Sequence, residues 1–326
     1  DTTFNFTVTA TDDENQTSSR AFNLIVLRQV FNYSIPFSSM WRNGNGQYLE
    51  FTPPSGASAG RLKWTTSLWI KRSRQETRVE LFSAHNSSSG AQEDIRINSG
   101  DAIRWYSHNS DGSAADSDLR TKAKLRSNTD WYHIVCVKDA TLADQTARHK
   151  IYINGELQAF DASYIDYPTQ NYESYIGNGQ GSLRFQVGAV NNGQHFAGYM
   201  AEFHHVSGAA LLPTSFGTNY RGAWIPKQYD TNDAAYGTNG LYLNFADNSA
   251  YGNDVSGNNN DLTATNFVTA SRKTDTPTKN FTVLDDNRNA NGCSLYDGNL
   301  ASSKSSARYF AMAGTTMSAK DGTAGS

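Results

Sequence analysis

Residues 129–160, TDWYHIVCVKDATLADQTARHKIYINGELQAF, decide the fold. The run Trp131, Tyr132, His133, Ile134, Val135, Cys136, Val137, Lys138 is rich in β-branched and aromatic side chains and predicts a long strand. Lys150, Ile151, Tyr152 and Ile153 predict a second strand. Asn154-Gly155 closes it, a pair suited to the positive φ angles of a tight hairpin turn. Alternation puts Trp131, His133, Val135 and Val137 on one face of the first strand and Tyr132, Ile134 and Cys136 on the other. Both faces carry apolar groups, so this strand is expected at the centre of a sheet covered on both sides.

Working outward, two more stretches read as strands. One is Tyr48-Leu49-Glu50-Phe51, followed by 64–71 (WTTSLWIK); the other is 196–203 (FAGYMAEF), followed by Ala209-Ala210-Leu211-Leu212. With W-Y-H-I-V-x-V and K-I-Y-I-N-G-E-L between them, these segments resemble, in order, a laminin G-like domain of the concanavalin A-like lectin/glucanase superfamily. The resemblance spans about residues 35–212 and implies an antiparallel β-sandwich of jelly-roll type. It says little about function, because that fold serves many tasks.

Composition agrees with an all-β chain. Of 326 residues, 18% are charged and the net charge is −3, which steers the chain towards neither nucleic acid nor an acidic membrane surface. Asn, Ser, Thr and Gly abound, as short strands with many turns require. No run of about 18 apolar residues encodes a membrane span. The chain opens at Asp1 without a basic-apolar leader. Its two cysteines, Cys136 and Cys293, are expected as free thiols, so packing must hold the fold.

Three domains are expected. Residues 1–29 form an alternating hairpin, FNFTVTAT and AFNLIVL across Asp12-Asp13-Glu14-Asn15, which resembles the last two strands of an immunoglobulin-like (cadherin-like) repeat. Its acidic turn is either solvated or a Ca²⁺ ligand. Residues 30–270 make the laminin G-like sandwich. There 94–98 and 102–106 pair across Ser99-Gly100-Asp101, 183–188 precedes the last long strand, and 240–245 adds one more. Residues 271–326 are expected as a partly irregular linker and the start of a further β domain. The passage FADNSAYGNDVSGNNNDLTATNF, followed by 275–281 (DTPTKNF), resembles a linker of marine tailed-bacteriophage structural proteins that leads into a SPRY-like domain. Both ends read as cuts through neighbouring domains of a longer fibre.

Chemistry is sparse. Related glucanases carry E-x-D-x-x-E, which sets two carboxylates about 5 Å apart on one strand face. No such motif occurs; Glu93-Asp94 and His204-His205 are adjacent and point to opposite faces, and Glu202 has no acidic neighbour two residues away. Neither G-x-S-x-G nor H-E-x-x-H is present. The expectation is no enzyme. Asp247, Asn253, Asp254, Asn258 and Asp261 are a candidate Ca²⁺ set, the only cofactor expected; Asx turns bonding their own backbone are the alternative. For a glycan, Arg104, Trp105, Tyr106 and Asn109, with Tyr164, Tyr167, Tyr172 and Tyr175, offer aromatic faces beside polar groups. The alternative is that Trp105 is core and the tyrosines cover an edge. The resemblance implies a virion structural protein, a tail fibre or surface appendage on the particle exterior. Its partners would be other virion subunits, further copies of itself in a homo-oligomer such as a trimer, and a host-surface glycan or protein. Nucleic acid and membrane insertion are not expected. The rivals are an architectural spacer or capsid decoration, and a bacterial adhesin.

Overall fold

The computed structural model describes residues 2–26, 33–42, 44–54, 58–108, 116–179, 183–284, 294–296 and 299–303. The chain divides into two units, Asp1–Tyr33 and Ser34–Ser326. The first is a hairpin of β1 (Thr2–Thr11) and β2 (Thr17–Val26), paired from Thr2 opposite Val26 to Thr11 opposite Thr17. Asp12 Oδ1 accepts the Gln16 amide at 2.7 Å, so the turn acid is engaged by its own backbone. Phe4, Phe6, Val8 and Phe22 are 40–52% exposed, and the Phe6 and Phe22 rings stack at 5.6 Å.

In the second unit the early strands are β3 (Ser38–Trp41), β4 (Tyr48–Phe51), β5 (Lys63–Arg72), β6 (Val79–His85), β7 (Gln92–Ile97), β8 (Ala102–His108) and β9 (Ser117–Lys124). Then come β10 (Tyr132–Asp139), β11 (His149–Ile153), β12 (Glu156–Leu157), β13 (Phe160–Asp166), β14 (Arg184–Val187) and β15 (Gly198–Ser207). The last in the sandwich region are β16 (Gly217–Tyr220), β17 (Ala223–Pro226), β18 (Leu241–Leu243), β19 (Thr263–Thr265) and β20 (Arg272–Lys273). One sheet runs β12-β11-β10-β5-β15-β3-β20, with β18 also on β15; the other runs β13-β9-β8-β7-β6-β14-β4-β19. All pairings in both are antiparallel. The fold is the antiparallel β-sandwich that the central stretch predicts.

β10 lies between β11 and β5, and Asn154 and Gly155 take φ of 49° and 82° in the turn after β11. Ile134 and Cys136 enter the main core, whereas Val135 and Val137 join Tyr152 on the opposite face. Cys136 is a buried free thiol, and burial pushes its pKa up; Cys293 lies outside the described residues. The core between the sheets holds Trp64, Leu68 and Phe203 from the first and Phe82, Trp105 and Phe185 from the second. A bulge between Ala201 and His204, with Glu202 at φ 50°, lets β15 send Phe203 and His205 inward and His204 outward. His204 and His205 therefore face opposite sides: His204 bonds Tyr236 Oη at 2.7 Å and His205 bonds Thr66 Oγ1 at 2.8 Å.

The sandwich continues beyond residue 270, where the sequence reading drew its boundary. β20 pairs with β3, placing Arg272 opposite Ser39. Asp275 accepts Lys71 Nζ at 2.9 Å and Trp131 Nε1 at 3.1 Å, and Thr278 bonds Ile35. These buried polar bonds tie the segment into the sheet.

The first sheet's outer face is covered. Trp224 of β17 lies against the Asn154-Gly155 turn; a Cβ on Gly155 would come within 2.5 Å of its ring. Trp224 Nε1 donates to His133 Nδ1 at 2.9 Å, and His133 stacks on Trp69 at 4.6 Å. Beside it, Phe216, Tyr229, Tyr236 and Tyr242 pack around His204. No described helix is long and apolar enough to cross a membrane.

Candidate functional site

The outer face of the second sheet carries charges in register. Alternation sends Trp105 inward from β8 and Arg104 and Tyr106 outward. Arg96 of β7 lies opposite Arg104, which lies opposite Arg120 of β9. The next row is Asp94, Tyr106 and Asp118. β9 continues outward with Lys122 and Lys124, and β13 brings Asp161 and Tyr164. With Arg78 and the Asn98-Ser99-Gly100 turn, these side chains enclose a groove of about 460 Å³.

Its floor is a charge network. Arg104 grips Asp118 through two parallel bonds of 2.7 and 2.6 Å, the bidentate geometry a guanidinium fork favours. Burial alone would raise the Asp118 pKa, but this fork and the nearby Arg120 hold it below the ordinary carboxylate range. Arg120 Nη2 is 3.5 Å from Asp118, its Nε has no partner, and its guanidinium lies 3.5 Å over the Tyr164 ring. Arg104 and Arg96 lie over Tyr106 at 4.4 and 5.0 Å.

Below the groove, Glu80 and Asp94 are both 0% exposed; Glu80 pairs with Arg78 at 2.6 Å and Asp94 with Arg96 at 3.0 Å. Burial, then the Asp94 charge, pushes Glu80 well above the ordinary range; burial also raises Asp94. Both acids are sealed beneath the surface.

Of the glycan residues read from the sequence, Arg104 and Tyr164 line the groove and Tyr106 flanks it. Trp105 presents no face to a ligand. It is 0% exposed, stacked on His149 at 3.8 Å, and its Nε1 donates to Glu93 Oε1 at 3.0 Å. Asn109 lies outside the described residues. Tyr167, Tyr172 and Tyr175 are not brought to the groove. Tyr167 packs on Phe160, Tyr172 lies under Lys138 Nζ at 4.4 Å, and Tyr175 meets Tyr172 edge-on at 6.4 Å. Burial pulls the Lys138 ammonium down to about 8 and pushes the Tyr172 phenol up.

The Asn/Asp-rich loop turns its oxygens on itself. Asp254 accepts the amides of Tyr242, Ser256 and Asn260 at 2.8–2.9 Å, and Asp261 accepts the Asp254 amide at 2.8 Å. Asp247 accepts Ser249 N at 2.8 Å, and Asn258 donates to Gly237 and Gly240 carbonyls. Asn253 is exposed. Among the described residues no three His, Cys, Asp or Glu side chains cluster as a metal site.

Sequence reasoning missed Arg78, Arg96, Arg120, Lys122 and Lys124. The signal for the last three is in DLRTKAK, where Asp118, Arg120, Lys122 and Lys124 alternate along one strand face.

A family model for the concanavalin A-like lectin/glucanases superfamily, Laminin G 3, matches residues 43–213. Among solved structures, a candidate carbohydrate-binding protein of Bacteroides ovatus is 14% identical, with a TM-score of 0.46, over 83% of this chain and 69% of its own. The CBM40 of Ruminococcus gnavus IT-sialidase is 15% identical, with a TM-score of 0.37, over 55% and 94%. A heptameric SAP-like pentraxin from Limulus polyphemus is 14% identical, with a TM-score of 0.37, over 55% and 79%. No curated protein matches the chain. The matched residues run from the approach to β4 through the end of β15, the body of both sheets, and the chain belongs to the concanavalin A-like lectin/glucanases superfamily.

Proposed function

We propose that the sandwich is a non-catalytic glycan-binding module and that it holds its sugar in the groove over β7, β8, β9 and β13. One observation carries this reading. The groove is a concave space of about 460 Å³ on a sheet face, walled by an aromatic ring, Tyr164, and polar groups that converge on it. Its volume lies within the range of small-molecule sites, about 300–1,000 Å³. The burial of Glu80 and Asp94 supports binding without cleavage, since neither acid is exposed. A glycan array with the wild-type chain and Tyr164→Ala tests it. Binding to a defined glycan set that the variant loses is expected. A blank array would favour a purely architectural role.

The finer reading is that this module serves a virion tail fibre or similar appendage and attaches the particle to a host-surface glycan. It is supported by the resemblance of the Asn/Asp-rich passage and 275–281 to phage structural linkers. An antibody against the sandwich should decorate the outside of intact particles; labelling confined to cell envelopes would instead mark a bacterial adhesin.

A further inference from the structure

We propose that the groove selects an acidic saccharide, whose carboxylate or sulfate group is held by Arg104, Arg120 and Lys122. This rests on the glycan-binding reading above and adds the class of sugar.

The first argument is charge. Six cationic side chains line the groove, against one lining carboxylate, Asp161. The acids beneath offset the arginines only. Arg78 pairs with Glu80, Arg96 with Asp94, and Arg104 and Arg120 share Asp118. Lys122 and Lys124 make no ion pair among the described residues. The chain as a whole carries −3, so the positive groove is a local feature.

The second argument is register. Arg96, Arg104 and Arg120 occupy directly opposed positions on three neighbouring strands. Strands lie about 4.8 Å apart, and like charges placed directly opposite destabilise a sheet. Asp94 and Asp118 offset part of that repulsion, and an anion above the row would relieve the rest. Guanidinium groups suit it, because their planar donors match carboxylate and sulfate oxygens.

The third argument is what remains free. Arg104 engages Asp118 through Nε and Nη2, leaving Nη1. Arg120 Nη2 makes only a long contact of 3.5 Å with Asp118. Asn98 uses its Oδ1 on the Gly100 and Ala102 amides, so its NH₂ can meet a sugar hydroxyl at the rim. Tyr164, 41% exposed, supplies the apolar wall. The volume suits a short oligosaccharide end rather than a polymer track, which sets a sugar above a nucleic acid.

The test is a calorimetric titration with matched oligosaccharides: uronate- or sialate-terminated, sulfated, carboxyl-reduced and neutral, with single-stranded DNA as a further arm. Wild type should bind an acidic member at least about tenfold more tightly than its neutral counterpart, as one charge-assisted contact provides. The carboxylated and sulfated arms then show which anion is preferred. Lys122→Glu, a change at an exposed position, should remove that advantage with the melting temperature kept, and Arg120→Ala should do the same. Equal binding of neutral and acidic sugars would overturn the acidic selectivity and leave the glycan reading standing. No binding of any sugar would overturn both. Tighter binding to DNA than to every sugar would also overturn the proposal.

Discussion

The two outer faces of the sandwich have opposite characters. The face of the β12-β11-β10-β5-β15-β3-β20 sheet is roofed by later chain: Trp224 covers His133, tyrosines surround His204, and Asp275 caps Lys71. The face of the other sheet carries arginines, lysines and carboxylates in rows, with a groove among them. Both sheets share one core, so the strand framework does not determine which face works. The difference comes from where the chain goes after β15. Polar groups under a roof must satisfy each other, whereas charges left open can satisfy a ligand.

Each prediction tests this contrast. The largest effect is expected at Asp275→Ala. It leaves the Lys71 ammonium buried without its carboxylate, and losing one partner of a buried ion pair costs about 3–5 kcal/mol. Urea unfolding that shifts by less than about 1 kcal/mol would show that residues 271–284 are dispensable to the roof.

Next is Trp224→Ala. The ring is half-buried, so the cost should be about 3 kcal/mol, at the lower end for a tryptophan truncation. Glycan affinity should be unchanged, since the residue lies on the other face. A loss of affinity at unchanged stability would reverse the assignment of the faces.

Acid and alkali should separate the faces too. Burial pushes His133 and His205 down to about 3. His133 accepts from Trp224 at Nδ1, so Nε2 carries the proton that goes to Ser67 Oγ, and protonating Nδ1 would break the first bond. An unfolded histidine takes up a proton near pH 6.5. Stability from these groups is thus complete above about 6.5 and is lost as pH falls towards 3, by roughly 1.4 kcal/mol per pH unit for each. Glu80 has the reverse sign. Its folded pKa is raised, so its contribution falls as pH rises above the unfolded value. Melting temperatures across pH 4–8 should fall steeply on the acid side, and His133→Gln should flatten that limb. An acid limb unchanged in the variant would contradict the roofed, neutral histidine.

The smallest effect is expected from chelation. The oxygens of Asp254 and Asp261 are taken by backbone amides, so EDTA should move the melting temperature by less than about 1 °C. A rise of several degrees with Ca²⁺ would mean that the loop exchanges its Asx turns for a cation.

Much of the fold was legible because strands announce themselves by period. The 131–138 run, the Asn154-Gly155 turn and the 94–106 hairpin all lie where alternation puts them. The site was legible only in fragments. Arg104 and Tyr164 could be picked out as polar and aromatic groups, but Arg96, Arg104 and Arg120 become neighbours only through strand register, which no local pattern states. Trp105 misled for the same reason: its side of the strand depends on which face its sheet buries. The roof was illegible because Trp224 and Asp275 meet β10 and β5 from about 90 and 200 residues away.

The most direct test of the open face is hydrogen exchange with and without a saturating acidic oligosaccharide. Added protection should appear in β8, β9 and β13 and in the 98–100 turn, with 167–178 and 213–236 unchanged. Protection centred on 167–178, with the groove strands unaffected, would contradict the account.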